Sequence, residues 1–240
     1  MFSDVDKHVR QAIADARIVM DPYPYIQIEN IFPDWYYADM LKYAMPTEYL
    51  KTLKELKRVG SGYPDSRKVM ILTKDNVEVL PKEYAEFWGV FTKWLTQGGF
   101  GNYIVHKFDK LILERFGKPV TITNEGIYVR DFTGYNLGPH TDAPHKVLTM
   151  LMYLPKPTDP MGIGTSIYKP KNPNFTCEGG PHYGYQDYDL VKTMPYKANT
   201  MFGFLKTNRS FHGVEPVNTV DTERNLIIYD ARVKRTKKST

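Results

Sequence analysis

Apolar positions recur every three to four residues through most of the first half of the chain and every two residues through the second. SDVDKHVRQAIADARIV puts Val5, Val9 and Ile13 on one helical face and opens with Ser3 and Asp6 arranged like a capping box. YIQIENIF predicts a first strand, and Pro33 with Asp34 then starts a helix whose Tyr37, Met40, Leu41 and Ala44 share a face. Beyond Pro81, the residues Tyr84, Phe87, Trp88, Phe91 and Trp94 form an apolar stripe that reads as the buried side of a helix ended by Gly98-Gly99. NYIVHKFDKLILERFG predicts one further helix, stopped at Gly117 with Pro119 beyond it.

After Pro119 the period changes. VTITNEGIYVRDF, KVLTMLMYLP, GTSIYKP, NTMFGFLKT and RNLIIYDARV are short β-runs separated by turns rich in Gly, Pro and Asn, which predicts antiparallel strands and not βαβ units. The inferred class is α+β, a helical layer packed on an antiparallel jelly roll. One domain over residues 1–231 is expected, with 1–119 mainly helical support, 120–231 the jelly-roll core and 232–240 a basic tail. No Gly-x-Gly-x-x-Gly follows a strand, so a dinucleotide or P-loop site is not expected. Residues 169–198 form the longest stretch without a clear period and read as a lid or loop; Tyr183, Tyr185, Tyr188 and Tyr196 argue that it packs against something.

Composition narrows the classes further. A chain of 240 residues can bury a full core without metals or disulfides to hold it. Cys177 is the only cysteine, which excludes an internal disulfide and a thiolate-cluster zinc site. The net charge of +5 resides in the tail, where Arg232, Lys234, Arg235, Lys237 and Lys238 occur with no acid; these five equal the whole excess of basic over acidic residues. Such a tail reads as a solubilising end, so nucleic acid is not an expected partner. No run approaches the roughly 18–20 consecutive apolar residues of a membrane span. The start of the chain lacks the apolar core of a signal peptide, and a cytoplasmic protein with no membrane partner is the expectation.

The candidate chemistry lies in GYNLGPHTDAPHKVLTMLMYLP, residues 134–155. Chance alone supplies about 0.7 His-x-acid tripeptides in a chain with 6 histidines and 27 acidic residues, so His140-Thr-Asp142 on its own is equally well a polar turn ahead of a strand. In an extended segment, however, residues i and i+2 point to one side, so His140 and Asp142 can present an imidazole and a carboxylate to one point. His145 has the opposite parity and falls outside the pair. His212, in SFHGVEPV after the strand NTMFGFLKT, can supply a third ligand. Two His and one carboxylate on one face suit a non-haem Fe(II) oxygenase. Twelve residues later Arg224 opens a strand; facing inward beside Leu226 and Ile228, it is an uncompensated charge unless an anion reaches it, and a carboxylate fits its two parallel N–H groups. His182 in the lid, Arg130 and Arg232 are weaker candidates for substrate contact.

GYNLGPHTDAP, LTMLMYLP, SFHGVEPV and ERNLIIYD, in that order, resemble segments of the 2-oxoglutarate/Fe(II)-dependent dioxygenases, in particular the prolyl-4-hydroxylase-like group, over residues 120–232. The resemblance implies a double-stranded β-helix with iron held by His140, Asp142 and His212. It implies that Arg224 and the Tyr153 hydroxyl hold the distal carboxylate of 2-oxoglutarate. It also implies Fe(II), 2-oxoglutarate and O2 as cofactors, ascorbate as accompanying reductant, and hydroxylation of an unactivated C–H bond with release of succinate and CO2. The substrate would be a peptidyl proline, an amino acid or another small molecule. The sequence departs from the family in two places. Collagen-type members carry lysine where this chain has Arg224, and Asp131 stands nine residues before His140 where many members have tyrosine, leaving Tyr128 or Tyr135 to take that place. The alternative function is a cupin-like jelly-roll metal protein, a binder or isomerase that does not use 2-oxoglutarate and has no need of Arg224.

Overall fold

The computed structural model describes residues 2–60, 63–218 and 222–234. In chain order its helices are α1 (Phe2–Asp15), α2 (Asp34–Lys42), α3 (Lys74–Glu78), α4 (Lys82–Thr96), α5 (Gly99–Lys107) and α6 (Asp109–Phe116). The strands are β1 (Tyr25–Glu29), β2 (Lys51–Thr52), β3 (Arg67–Ile71), β4 (Ile122–Phe132), β5 (Leu137–His140), β6 (Lys146–Tyr153), β7 (Ser166–Pro170), β8 (Tyr188–Thr193), β9 (Thr200–Leu205), β10 (His212–Val214) and β11 (Glu223–Val233). They make a seven-stranded sheet, β1-β9-β6-β11-β4-β3-β2, and a four-stranded sheet, β5-β10-β7-β8, with every pairing antiparallel. This is the expected jelly roll.

Strand parity divides the core. On β11, Ile227, Tyr229 and Ala231 face the helices and join Trp88, Phe91 and Phe100 in one apolar cluster. Leu226 faces the other way and packs with Val129, Leu151 and Phe202 of the large sheet against Ile167 and Val214 of the small one. The inter-sheet space is therefore walled by one residue in two along each strand. Polar residues at the same parity, Arg224, Asp230 and Arg232, are carried into it.

The first half of the chain departs from the sequence reading at several points, among them the unexpected short helix α3. The single helix expected over 102–117 is two, α5 and α6, broken at Phe108, whose φ of −107° and ψ of 11° leave the helical range while its ring is buried; Asp109 then accepts a hydrogen bond from the Lys110 amide. Gly98, at a φ of +141°, stands between α4 and α5, and Gly99 opens α5 against the Trp94 ring, 2.6 Å from where a Cβ would lie. The first half also contributes β2 and β3, which the sequence reading passed over; β3 pairs with β4 and brings Arg67 opposite Asp131.

Helix α1 is tied to this layer by Asp6, which accepts from Trp94 Nε1 at 2.6 Å and from Tyr103 Oη at 2.8 Å. Asp6→Ala leaves the half-buried indole N–H unpaired and is expected to cost about 1–3 kcal/mol of stability in a urea titration. A loss within error would show that α1 docks through its apolar face alone.

Candidate metal site

The register between β5 and β10 sets His140 directly opposite His212, so both side chains leave the same face and their rings lie 4.3 Å apart. Asp142 follows two residues after His140. One ligand atom from each of the three lies within 4.8 Å of the others, and all three residues are buried. Nδ1 of His140 lies 3.0 Å from Gly138 O and Nδ1 of His212 lies 3.0 Å from Ser210 O. A carbonyl only accepts, so both Nδ1 atoms carry the proton and both Nε2 lone pairs are free. Burial, and for His140 also the charge of His212, pushes both imidazoles below the ordinary histidine range, toward the neutral form that binds metals. Burial alone would raise Asp142, but the charge of Lys146 and the hydrogen bond from Thr149 hold it well below the ordinary carboxylate range. Two neutral imidazoles and an ionised carboxylate are a donor set that could hold a divalent metal ion.

Behind Asp142 runs a chain of alternating charges. Thr149 Oγ1 donates to Asp142 Oδ2 at 2.7 Å, and Lys146 Nζ lies 3.0 Å from both Asp142 Oδ1 and Asp230 Oδ1. Arg232 continues it, 2.8 Å from Asp230 Oδ2 and 2.5 Å from Glu125 Oε2, and Arg58 ends it at 2.9 Å from the same Glu125 oxygen. None of Lys146, Asp230 and Arg58 was singled out from the sequence. The signals were present for two of them: Lys146 stands four residues past Asp142, and Asp230 shares the parity of Arg224 on β11.

The other end of the same cavity, about 630 Å³ in volume, holds Arg224. Arg224 does face inward, but it is not uncompensated. Its Nη1 donates to Asp131 at 2.7 Å, Nε to Ile163 O at 2.5 Å and Nη2 to Thr165 Oγ1 at 3.2 Å, and it has no exposed surface. The aspartate that stands where the family often has tyrosine is its partner. Asp131 also takes both Nε (2.6 Å) and Nη2 (2.9 Å) of Arg67, so two buried guanidinium groups share one carboxylate and one positive charge is left over. The Tyr153 hydroxyl accepts from Thr165 N at 3.1 Å, so Tyr153 and Arg224 meet at the same threonine. Tyr135 lies under Arg67, its ring centroid 4.3 Å from the guanidinium carbon, with its hydroxyl 3.3 Å from that of Tyr63. Tyr128 faces the helices and bonds Asn225, and so lies on the opposite side of the sheet. Arg130 does too: it holds Asn225, Thr47 and Met45 O, so it is no candidate for substrate contact from within the cavity.

Residues 169–198 are more ordered than their sequence suggested. They contain β8, and Tyr183, Tyr185 and Tyr188 pack around Phe211, while Tyr196 is buried among the inter-sheet residues. The segment is pinned to β5 by Thr141 Oγ1 donating to Cys177 O and by the Tyr183 amide donating to Pro139 O. Gly179, at a φ of +128°, crosses so close to Asp142 O that a Cβ there would collide with it. This crossing carries His182, read from the sequence as a loop histidine, to within 4.6 Å of the His140 ring and into the cavity wall. His8 and His106 stay apart from the cavity: His8 bonds Asn30 O, and His106 is exposed. Of the basic tail, Arg232 belongs to β11 and the cavity, and the Lys234 amide bonds Thr121 O; Arg235, Lys237 and Lys238 lie outside the described residues. Among the described residues no helix is long and apolar enough to cross a membrane.

The fold is shared with solved structures of two prolyl hydroxylases and an α-ketoglutarate-dependent enzyme. A prolyl-4-hydroxylase from Pseudomonas putida matches 94% of this chain and 99% of its own, with a TM-score of 0.56 and 10% identity. A prolyl hydroxylase from Trichoplax adhaerens, solved with a hypoxia inducible factor peptide, matches 97% of this chain and 92% of its own at a TM-score of 0.54 and 13% identity. The α-ketoglutarate-dependent carbocyclase SnoK from nogalamycin biosynthesis matches 96% and 83% at 0.52 and 12%. No protein-family model and no curated protein matches the sequence.

Proposed function

We propose that the protein is an Fe(II)- and 2-oxoglutarate-dependent dioxygenase that hydroxylates an unactivated C–H bond. The observation that carries this reading is the triad: His140, Asp142 and His212, on one face, with both histidine tautomers fixed for ligation. They would hold Fe(II), which supplies oxygen activation coupled to decarboxylation of 2-oxoglutarate to succinate and CO2. Arg224 and Tyr153, joined at Thr165, would anchor the distal carboxylate, and the charge left over at Arg67, Asp131 and Arg224 favours an anion there. Lys146 and Thr149 orient Asp142 and keep it ionised. Because Asp142 fills the carboxylate position, none is vacated for a halide, which favours hydroxylation over halogenation. The prolyl-hydroxylase neighbours support a peptidyl proline or a related amino acid as substrate, and ascorbate would serve as reductant.

Succinate release in the presence of Fe(II), 2-oxoglutarate and air tests the reading. It is expected in the wild type and lost in Asp142→Ala. Arg224→Lys, which keeps the charge but not the fork, is expected to raise the KM for 2-oxoglutarate at least about tenfold, a cost of about 1.4 kcal/mol. Metal binding without any succinate would favour the cupin-like reading.

A further inference from the structure

We propose that the mouth of the cavity is a second anion site, formed by Arg58 and Arg232, that reads a carboxylate on the primary substrate. The proposal rests on the oxygenase reading and deepens it.

Arg224 and Arg232 share a face of β11 and line the same cavity, but their head groups rest on different strand positions, Arg224 on Asp131 and Arg232 on Glu125. Six residue steps along β4 lie between those two acids, roughly 20 Å at about 3.3 Å per residue. The four C–C bonds of a five-carbon dicarboxylate keep its end carbons within about 6 Å of one another. A 2-oxoglutarate held at Arg224 therefore leaves the Arg232 end free for another molecule.

That end has unused donors. Arg58 and Arg232 share one oxygen, Glu125 Oε2, at 2.9 and 2.5 Å, and Arg232 reaches Asp230 Oδ2 at 2.8 Å with the same Nη2, although each guanidinium carries five N–H groups. Nε of Arg232 is buried and has no hydrogen-bond partner. The side chains of Arg58 and Arg232 remain 28% and 21% exposed, open enough to be approached from the cavity. The two acids that line the cavity, Asp142 and Asp230, lie between Lys146 and Arg232, so each has a cation beside it. Through Asp230 and Lys146, Arg232 is linked to Asp142 itself, which puts the site beside the triad and away from Arg224.

The carboxylate can belong to a free acid or to an acidic side chain of a peptide, and matched probes separate the two. Protein loaded with Mn(II) and saturated with 2-oxoglutarate is titrated in one arm with N-acetyl amino acids and their amides, and in the other with terminally blocked peptides containing Glu or, in its place, Gln. At least one acid is expected to bind tenfold or more tightly than its neutral twin, and the arm in which it does so names the source. Arg58→Gln or Arg232→Gln is expected to close that gap, and Arg58→Lys to retain part of it, which separates charge recognition from damage to the fold. If no acid outbinds its twin in either arm, or if the gap survives both glutamine variants, the mouth site is wrong. The 2-oxoglutarate saturation step is read first. Failure there removes the oxygenase reading and this proposal with it, whereas saturation without acid preference removes this proposal alone.

Discussion

Asp131→Ala is expected to lower folding stability by about 3–5 kcal/mol, the cost of leaving a buried charge without its partner. Asp131 is fully buried and accepts three hydrogen bonds, two from Arg67 and one from Arg224. Its removal strands two guanidinium groups in the space between the sheets, where Arg67 is stacked on Tyr135 and Arg224 is held by Ile163 O and Thr165. Denaturant unfolding of the metal-free protein measures the loss. Adding Arg67→Met to Asp131→Ala is expected to recover part of it, since one stranded charge is then gone. A loss below about 1 kcal/mol, in the range of an exposed pair, would mean that Asp131 does not act as the shared partner of the two guanidinium groups.

The second large effect falls on the metal. Side chains that only support a ligand typically contribute 10–100-fold to metal affinity, so removing a ligand is expected to cost at least about 100-fold. His140→Ala and His212→Ala are expected to meet that mark when the protein is titrated with Mn(II) or Fe(II). His182→Ala is the informative companion. Its ring lies against His140 but outside the triad, and its replacement is expected to change affinity by less than about tenfold. An equal loss in all three variants would make His182 a ligand and the triad incomplete.

The parts of this protein that could be read from its sequence are those fixed by local period and chain order. His140 and Asp142 share a side because extended backbone has a period of two, and His212 follows an apolar strand that must return to the same sheet. The jelly roll was readable for the same reason: five alternating runs separated by turns have few other ways to bury one face each. What escaped depends on which strand lies beside which. Arg67 belongs to a short run, RKVMI, whose alternation of Arg67, Val69 and Ile71 is visible but says nothing of β4 as its neighbour. Asp131 was recognised only as a missing tyrosine. That it answers Arg224 follows from their being paired across β4 and β11. His182 owes its position to a loop crossing that depends on Gly179 and on hydrogen bonds to β5, and no periodicity encodes such a crossing. The break at Phe108 escaped because its apolar neighbours keep helical spacing on both sides of it.

The central claim is that His140, Asp142 and His212 hold Fe(II) in a way that lets 2-oxoglutarate chelate it, and anaerobic titration tests this without need of a substrate. Adding Fe(II) and then 2-oxoglutarate to the wild-type protein is expected to produce a visible metal-to-ligand charge-transfer band that saturates at one equivalent and is absent in His140→Ala. No band in the wild type, or a band of full intensity in His140→Ala, would contradict it.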